Sequence, residues 1–415
     1  MTRILHTADI HLDSPLRSLA LKSEALRDRV QAATRTALSR IADLAIAEDC
    51  AAVLIAGDLF DGAERSARTG AFLVAELDRL RAAGIAVFYI KGNHDAASPI
   101  TGNAELPGNV HVFTGHGGKA QIEGTEIWIH GVSFSRPHAP ESLLPKFGPP
   151  VPGAVNIAML HSSLAGAPGH DPYAPCTVAE LAGMGFDYWA LGHVHRRQVH
   201  SEVPWVVMPG MPQGRDIGEA GPKSVTLLEV SGGGITAEER AVSAVEFLRH
   251  GIDVSPAEDD DALRDLIRSE LRGLARGLVS DDGILRLQLA GATPLHWRIR
   301  RDRAFWEEFA ADAARATGRL WLEKLDLGLA APGDARLAGP VADLDALMAE
   351  IRGSEAFRDL ARRELDGVLA ELGKVLPRER VDRLVPDEAA AEALAERLMA
   401  EGAEEMAARM TGAGD

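Results

Sequence analysis

The sequence has only two cysteines, Cys50 and Cys176, in 415 residues. They are far apart, so neither a disulfide framework nor a zinc-ribbon spacing can be built from them. A reducing compartment is the simpler expectation. No apolar stretch approaches the roughly 20 residues needed to span a bilayer. The opening residues lack a basic region followed by an apolar run, so no signal peptide is expected. These absences together predict a soluble, cytoplasmic protein with no membrane partner. Positive charge is also scarce: the net charge is −17 and no segment is strongly basic. That argues against tight, autonomous binding of nucleic acid, so an anionic substrate must be drawn in by a local feature or a partner. No internal repeat is present.

Apolar residues make up 46% of the chain, enough for a sizeable core, and the length predicts two or three domains. Short β-type runs alternate with helical patterns in the first part: Ile4–Thr7, a helix over 22–48 spaced through Leu26, Val30, Ala33, Ala37, Ile41 and Leu44, then Ala52–Ala56, a helix near 66–83, and Ile85–Ile90. Alternation of this kind predicts a parallel sheet flanked by helices. Further strands are expected near 126–132, 155–160, 187–191, 205–208 and 224–230, with shorter connections that suit a second sheet packed on the first. Ser231–Gly234 reads as a hairpin turn. Residues 1–245 therefore read as one α/β domain.

From 246 to 335 the pattern is strand, helix, strand, helix, strand: Phe247–Val254, Ala262–Leu278 entered through Asp259–Asp261, Ile284–Leu289, Ala304–Thr317 and Leu320–Leu327. This is a small α+β domain, followed by a linker over Ala330–Pro340. Residues 336–415 read as a helical region with breaks at Gly353, Pro377 and Pro386. Its apolar stripes run through Leu344, Leu347, Met348 and Ile351, then Phe357, Leu360, Leu365, Val368, Leu369 and Leu372, then Leu394, Leu398, Met406 and Met410. Such stripes pack within a domain or bind a partner helix.

Five clusters fall directly after strands of the first domain: Asp9-Ile-His11, Gly57-Asp58-Leu-Phe-Asp61, Gly92-Asn93-His94-Asp95, His161, and Gly192-His193-Val-His195. In open α/β sheets ligands collect beyond the carboxyl ends of the strands, where all five lie. Each cluster alone is weak: an isolated histidine such as His161 is more often packed or capping than ligating. Together they offer hard oxygens and imidazole nitrogens, a set suited to divalent first-row metals. Two such ions can clamp an in-line displacement at phosphorus. Asp58 is the natural bridge, because a carboxylate has two oxygens and its strand is central in the order.

These motifs resemble the calcineurin-like metallophosphoesterase superfamily. The run His6-Thr-Ala-Asp-Ile-His-Leu-Asp-Ser-Pro15 is similar to that of SbcD-type DNA repair nucleases. Tyr188-Trp-Ala-Leu-Gly-His-Val-His195, Pro209-Gly-Met-Pro-Gln-Gly-Arg-Asp-Ile-Gly-Glu219 and Gly221-Pro-Lys223 are most like the YhaO branch. The resemblance covers about residues 1–230; beyond 245 only the layout matches. It implies a four-layer α-β-β-α domain, a small α+β cap domain and C-terminal helices. It also implies two divalent ions, usually Mn²⁺: one held by Asp9, His11 and His195, the other by Asn93, His161 and His193, with Asp58 shared. His94 would be the catalytic histidine. Asp61 and Asp95 would lie behind the ligands and fix imidazole orientation. The implied partners are DNA, an SbcC-type coiled-coil ATPase and a second copy in a homodimer.

Arg215 is a candidate phosphate contact, set against a surface pair with Asp216 or Glu219. Arg298, Arg300, Arg301 and Arg303, beside Trp297 and Trp306, could track a DNA backbone or form a solvated edge. His138, His170 and His200 take no role. The expected function is metal-dependent DNA cleavage in repair. Its rivals are a metallophosphatase or small-molecule phosphodiesterase, and a regulatory subunit of an ATPase.

Overall fold

The computed structural model describes residues 1–14, 24–61, 66–97, 105–164, 173–330, 340–376, 380 and 384–411. Pro15, His170, Pro377 and the linker 331–339 lie outside the described residues, as do the side chains of Leu26, Leu344 and Met410. Two compact units are present: Met1–Arg249 with Leu274–Arg286 and Arg319–Glu323, and His250–Gly273 with Leu287–Gly318 and Lys324–Asp415.

The first unit holds two six-stranded sheets. One contains β1 (Thr2–Thr7), β2 (Ala52–Ala56), β3 (Ala86–Ile90), β4 (Val110–Val112), β11 (Ser224–Ser231) and β12 (Gly234–Ala241), in the order β12-β11-β1-β2-β3-β4. Strands β1 to β4 pair in parallel, and β11 closes antiparallel on β1. The other contains β5 (Gly118–Gln121), β6 (Ile127–Val132), β7 (Val155–His161), β8 (Tyr188–Gly192), β9 (Gln198–Glu202) and β10 (Trp205–Met208), in the order β5-β6-β7-β8-β10-β9. Its central strands β6, β7, β8 and β10 are parallel. The Ser231–Gly234 turn joins β11 to β12 as the sequence predicts.

Side-chain alternation builds the layers. Val53, Ile55, Val87 and Tyr89 face outward onto α1 (Glu24–Ala47) and α2 (Ala67–Ala82), meeting Leu38, Ile41, Leu73 and Leu77. Leu54, Ala56, Phe88 and Ile90 face inward and pack on Ile129, Ile157, Met159 and Tyr188 of the second sheet. Ala158, Leu160, Trp189 and Leu191 face outward again, against Leu181 of α4 (Val178–Gly183). The order is helix, sheet, sheet, helix. A short helix, α3 (Asn93–Ala97), follows β3.

A three-stranded sheet follows, with β13 (Val245–Asp253), β14 (Asp282–Ala292) and β15 (Leu320–Ala330) in that order. Helix α5 (Asp260–Arg276) lies between the first two of these strands in sequence. The single helix expected over Ala304–Thr317 is preceded by a separate short one, so the chain forms α6 (His296–Arg301) and α7 (Arg303–Arg315). The C-terminal helices are α8 (Pro340–Gly353), α9 (Glu355–Val375) and α10 (Glu388–Thr411). They pack on one another and leave Leu347, Leu360, Val368, Leu398 and Met406 exposed. Among the described residues no helix is long and apolar enough to cross a membrane.

Candidate metal centre

The parallel strands of both sheets deliver their carboxyl ends to one place. Asp9 and His11 follow β1, Asp58 follows β2, Asn93 and His94 follow β3, His161 ends β7, and His193 and His195 follow β8. The backbone there is strained: Asp9 (φ 53°), His11 (φ 44°), Asp58 (φ 52°) and His193 (φ 102°) all lie at positive φ. That region costs an ordinary residue on the order of 1–2 kcal/mol, and it persists only where surrounding structure over-determines it. Here the loops hold one another. The backbone N–H of Asp9 donates to Gly57 O and that of His11 to Asp58 O, each at 3.0 Å. The His193 N–H donates to the Asp9 carboxylate at 3.0 Å, and the His94 N–H donates to Asp58 Oδ1 at 3.0 Å. Two close approaches require glycine. A Cβ on Gly57 would overlap the His161 ring, and one on Gly92 would overlap the Asp58 carboxylate.

Asp9, His11, Asp58 and His161 are almost completely buried. His161 donates its Nδ1–H to the Ala56 carbonyl at 2.9 Å, so in its neutral form Nε2 carries only a lone pair. That nitrogen faces Asn93 Oδ1 at 3.1 Å and Asp58 Oδ2 at 3.4 Å, both acceptors. His195 likewise gives its Nδ1–H to Glu219 at 2.8 Å and turns Nε2 toward His11 Nε2 at 3.2 Å. Ligand atoms crowded this closely in a buried site need a proton or a metal ion between them. The donor set therefore fits divalent metal. Three groups of side chains bring ligand atoms within 4.8 Å of one another: Asp9, His11 and His195; His11, Asp58 and His94; and Asp58, His161 and His193. Asp58 belongs to two of them. The His161 and His193 rings are 5.1 Å apart.

The electrostatics show the same tension. Burial, against the pull of His161 and His195, pushes the Asp9 carboxyl up to about 6. Asp58 feels the same burial, but the His161 imidazole outweighs it and holds the carboxyl below the usual range. Burial lowers His161 too, yet the Asp58 carboxylate beside it raises it to about 9. Desolvation drops His11 to about 3. His94 is half-exposed on the cleft wall, and its hydrogen bond to Asp61 raises it.

The structure places the remaining expected residues as follows. Asp61 meets His94 Nδ1 at 3.5 Å and accepts from Ser14. The Asp95 carboxylate takes the backbone N–H groups of Phe60 and Gly92, each at 3.0 Å, and so ties two loops together. Arg215 takes the pairing alternative. Its backbone and Nη2 donate to Glu219 at 2.8 and 2.9 Å, and Nη2 lies 3.1 Å from His195 Nδ1.

The arginines at 298–303 meet groups of their own surroundings. Arg298 pairs with Asp260, Arg301 pairs with Asp302 and covers Trp297, and Arg300 and Arg303 donate to the carbonyls of Leu329 and Leu325. Trp306 is buried, and Trp297 is the ring that Arg298 and Arg301 cover. His138 packs on Tyr173, and His200 is half-buried.

Tyr173, which no motif marks, places its ring 5.1 Å from that of His193. Glu219, expected only as a partner for Arg215, also holds His195. Glu219 ends the quoted Ile-Gly-Glu run, which was the available signal. Both line a cleft of about 780 Å³ together with Asp58, Asn93, His94 and His195.

Comparison with known proteins agrees with this geometry. Residues 2–197 match the calcineurin-like phosphoesterase model, and residues 247–330 match that of the middle domain of metallophosphoesterase YhaO. A Bacillus subtilis protein named uncharacterized metallophosphoesterase YhaO is 35% identical over 310 residues, covering 74% of this chain and 75% of its own. A Methanopyrus kandleri protein named DNA double-strand break repair protein Mre11 is 26% identical over 273 residues, covering 60% of this chain and 55% of its own. The crystal structure of TT1561 of Thermus thermophilus is 16% identical, covering 57% of this chain and 98% of its own, with a TM-score of 0.35. The chain thus belongs to the calcineurin-like metallophosphoesterases, a family with a dinuclear metal centre.

Proposed function

We propose that this chain is a metal-dependent DNA nuclease that hydrolyses phosphodiester bonds in repair, working with a coiled-coil ATPase of the SbcC type. The observation that carries hydrolysis is the convergence of metal-ligand side chains from both sheets: Asp9, His11 and His195, and Asp58, His161 and His193, each set with its ligand atoms within 4.8 Å of one another. Asp9, His11 and His195 would hold one ion and Asn93, His161 and His193 the other, with Asp58 shared and Mn²⁺ the expected metal. When bound, such a pair supplies Lewis-acid polarisation of a phosphoryl oxygen and neutralises developing charge.

The protein's own groups do the rest. Glu219 fixes the tautomer of His195 and the Ala56 carbonyl fixes that of His161, so each ring presents Nε2 to the centre. His94, with Asp61 on its Nδ1 side, keeps Nε2 for the substrate, where it orients the scissile phosphate or protonates the leaving oxygen. Support for DNA as substrate comes from relatives named DNA double-strand break repair protein Mre11. Support for a partner comes from the exposed apolar residues on α8 to α10 and the groove of about 700 Å³ that Met348, Phe357, Leu398 and Met406 line. A homodimer remains the family expectation.

The net charge of −17 favours a second reading, a phosphatase or small-molecule phosphodiesterase. The deciding measurement is hydrolysis with Mn²⁺ of linear and hairpin DNA, bis(p-nitrophenyl) phosphate and p-nitrophenyl phosphate, with and without an ATPase partner. Cleavage of DNA, lost in Asp58→Asn, is expected. Turnover of the small esters alone would replace the nuclease reading with the second one.

A further inference from the structure

The cleft that holds the metal centre continues past His195 to two cations, Arg196 and Lys223. Arg196 follows His195 directly in the chain, is exposed, and makes no ion pair or hydrogen bond among the described residues. Lys223 stands half-buried at the entry to β11, and its Nζ has one protein partner, the Ala220 carbonyl at 3.0 Å. Glu219 in the same cleft bonds His195 and Arg215, and its charge also reaches Lys223. Arg215 is thereby withdrawn from substrate, which leaves Arg196 and Lys223 as the Arg and Lys side chains on the cleft wall.

We infer that Arg196 and Lys223 form a subsite for a second phosphate of the substrate, the internucleotide phosphate that flanks the scissile one on a polynucleotide strand.

Two like charges set together in a partly desolvated cleft repel, and folding tolerates them where an anion is to be received. Burial lowers the Lys223 ammonium, the charge of Glu219 opposes the fall and that of Arg196 adds to it, so the two cations feel one another. A guanidinium offers a planar fork of donors to phosphate and an ammonium offers a compact charge; together they suit an anion with several free oxygens. The subsite also bears on the acidic surface. The cleft places its fixed positive charge beside the metal centre, so a substrate with one phosphate engages the metals alone and a strand engages both. A strand is thereby preferred over a monophosphate or a lone diester through local charge, although the molecule as a whole repels DNA.

This inference rests on the phosphodiesterase reading above and narrows its substrate to one with at least two neighbouring phosphates. The test uses full-length protein loaded with Mn²⁺ and two substrates: bis(p-nitrophenyl) phosphate, which has one phosphate, and an end-labelled 12-nucleotide single strand. Wild type is compared with Arg196→Gln, Lys223→Gln and the double variant, and with Arg196→Lys and Lys223→Arg as charge-keeping controls. The ratio of kcat/KM for the strand to that for the small diester should fall about tenfold or more in the double variant, mostly through KM. The charge-keeping variants should retain most of the ratio. The dependence of log kcat/KM on log salt should flatten by about 0.7, the contribution of one single-stranded phosphate. An unchanged ratio and salt slope in the double variant, with the wild type cleaving the strand, would overturn the subsite and leave the nuclease reading standing. A wild type that turns over the small diester and leaves the strand intact would overturn both.

Discussion

At the scale of single residues, the proposed roles separate groups that would hold metal from one that would move a proton. Asp58 is shared between two ligand groups, so Asp58→Asn should lower metal occupancy and abolish hydrolysis. His94 is the half-exposed member, so His94→Ala should leave metal binding nearly intact and slow turnover by about 10²–10⁴-fold. Titration calorimetry with Mn²⁺ on both variants separates the roles, and strong loss of metal in His94→Ala would make His94 a ligand. Asp61 raises His94. Activity that needs the imidazolium is therefore present below that raised value and lost as pH rises through it. Asp61→Asn removes the supporting charge and should move the alkaline limb of the rate profile to lower pH; an unmoved limb would separate Asp61 from the proton on His94. The candidate ligands are legible in sequence because each lies at or just beyond the end of an apolar strand. Glu219 and Tyr173 are not, because they reach the site from distant loops where neither spacing nor strand register marks them.

At the scale of elements, the site depends on loops packed with no space for a methyl group. Gly92→Ala would press a Cβ into Asp58, and Gly57→Ala would press one into His161 while also forcing alanine to φ +95°. Each should cost about 1–3 kcal/mol in chemical denaturation through overpacking, with roughly 1–2 kcal/mol more for the backbone at Gly57. Each should also weaken metal affinity; wild-type affinity in both would mean the loops have slack that the close approaches deny. The buried strands β1, β2, β3, β7 and β8 could be read as apolar runs bounded by polar loops. Strands β4, β5, β9 and β12 could not, because β4 is only three residues long and the others are largely exposed, leaving no apolar signature. The basic run at 298–303 reads from sequence as either a backbone track or a solvated edge, because sequence shows charge and aromatic spacing but not the acidic residues and carbonyls that fold back to meet it.

At the scale of the whole molecule, a net charge of −17 and internally paired arginines leave little for long-range attraction to DNA. The isolated protein should bind duplex DNA weakly and with strong salt sensitivity, since such affinity comes mainly from neutralised phosphates and released counterions. Fluorescence anisotropy of a labelled duplex across a salt series checks this, and tight binding that persists at high salt would reveal a DNA surface elsewhere on the molecule. The order of strands in the first sheet has a consequence for biosynthesis. Strand β1 lies between β2 and β11, yet β11 leaves the ribosome roughly 220 residues later. At about 5–20 residues per second, one edge of β1 waits on the order of 10–45 s for its antiparallel neighbour. During that interval an apolar strand with unpaired backbone groups is open to the wrong partner, a hazard of the nascent chain that the finished fold conceals.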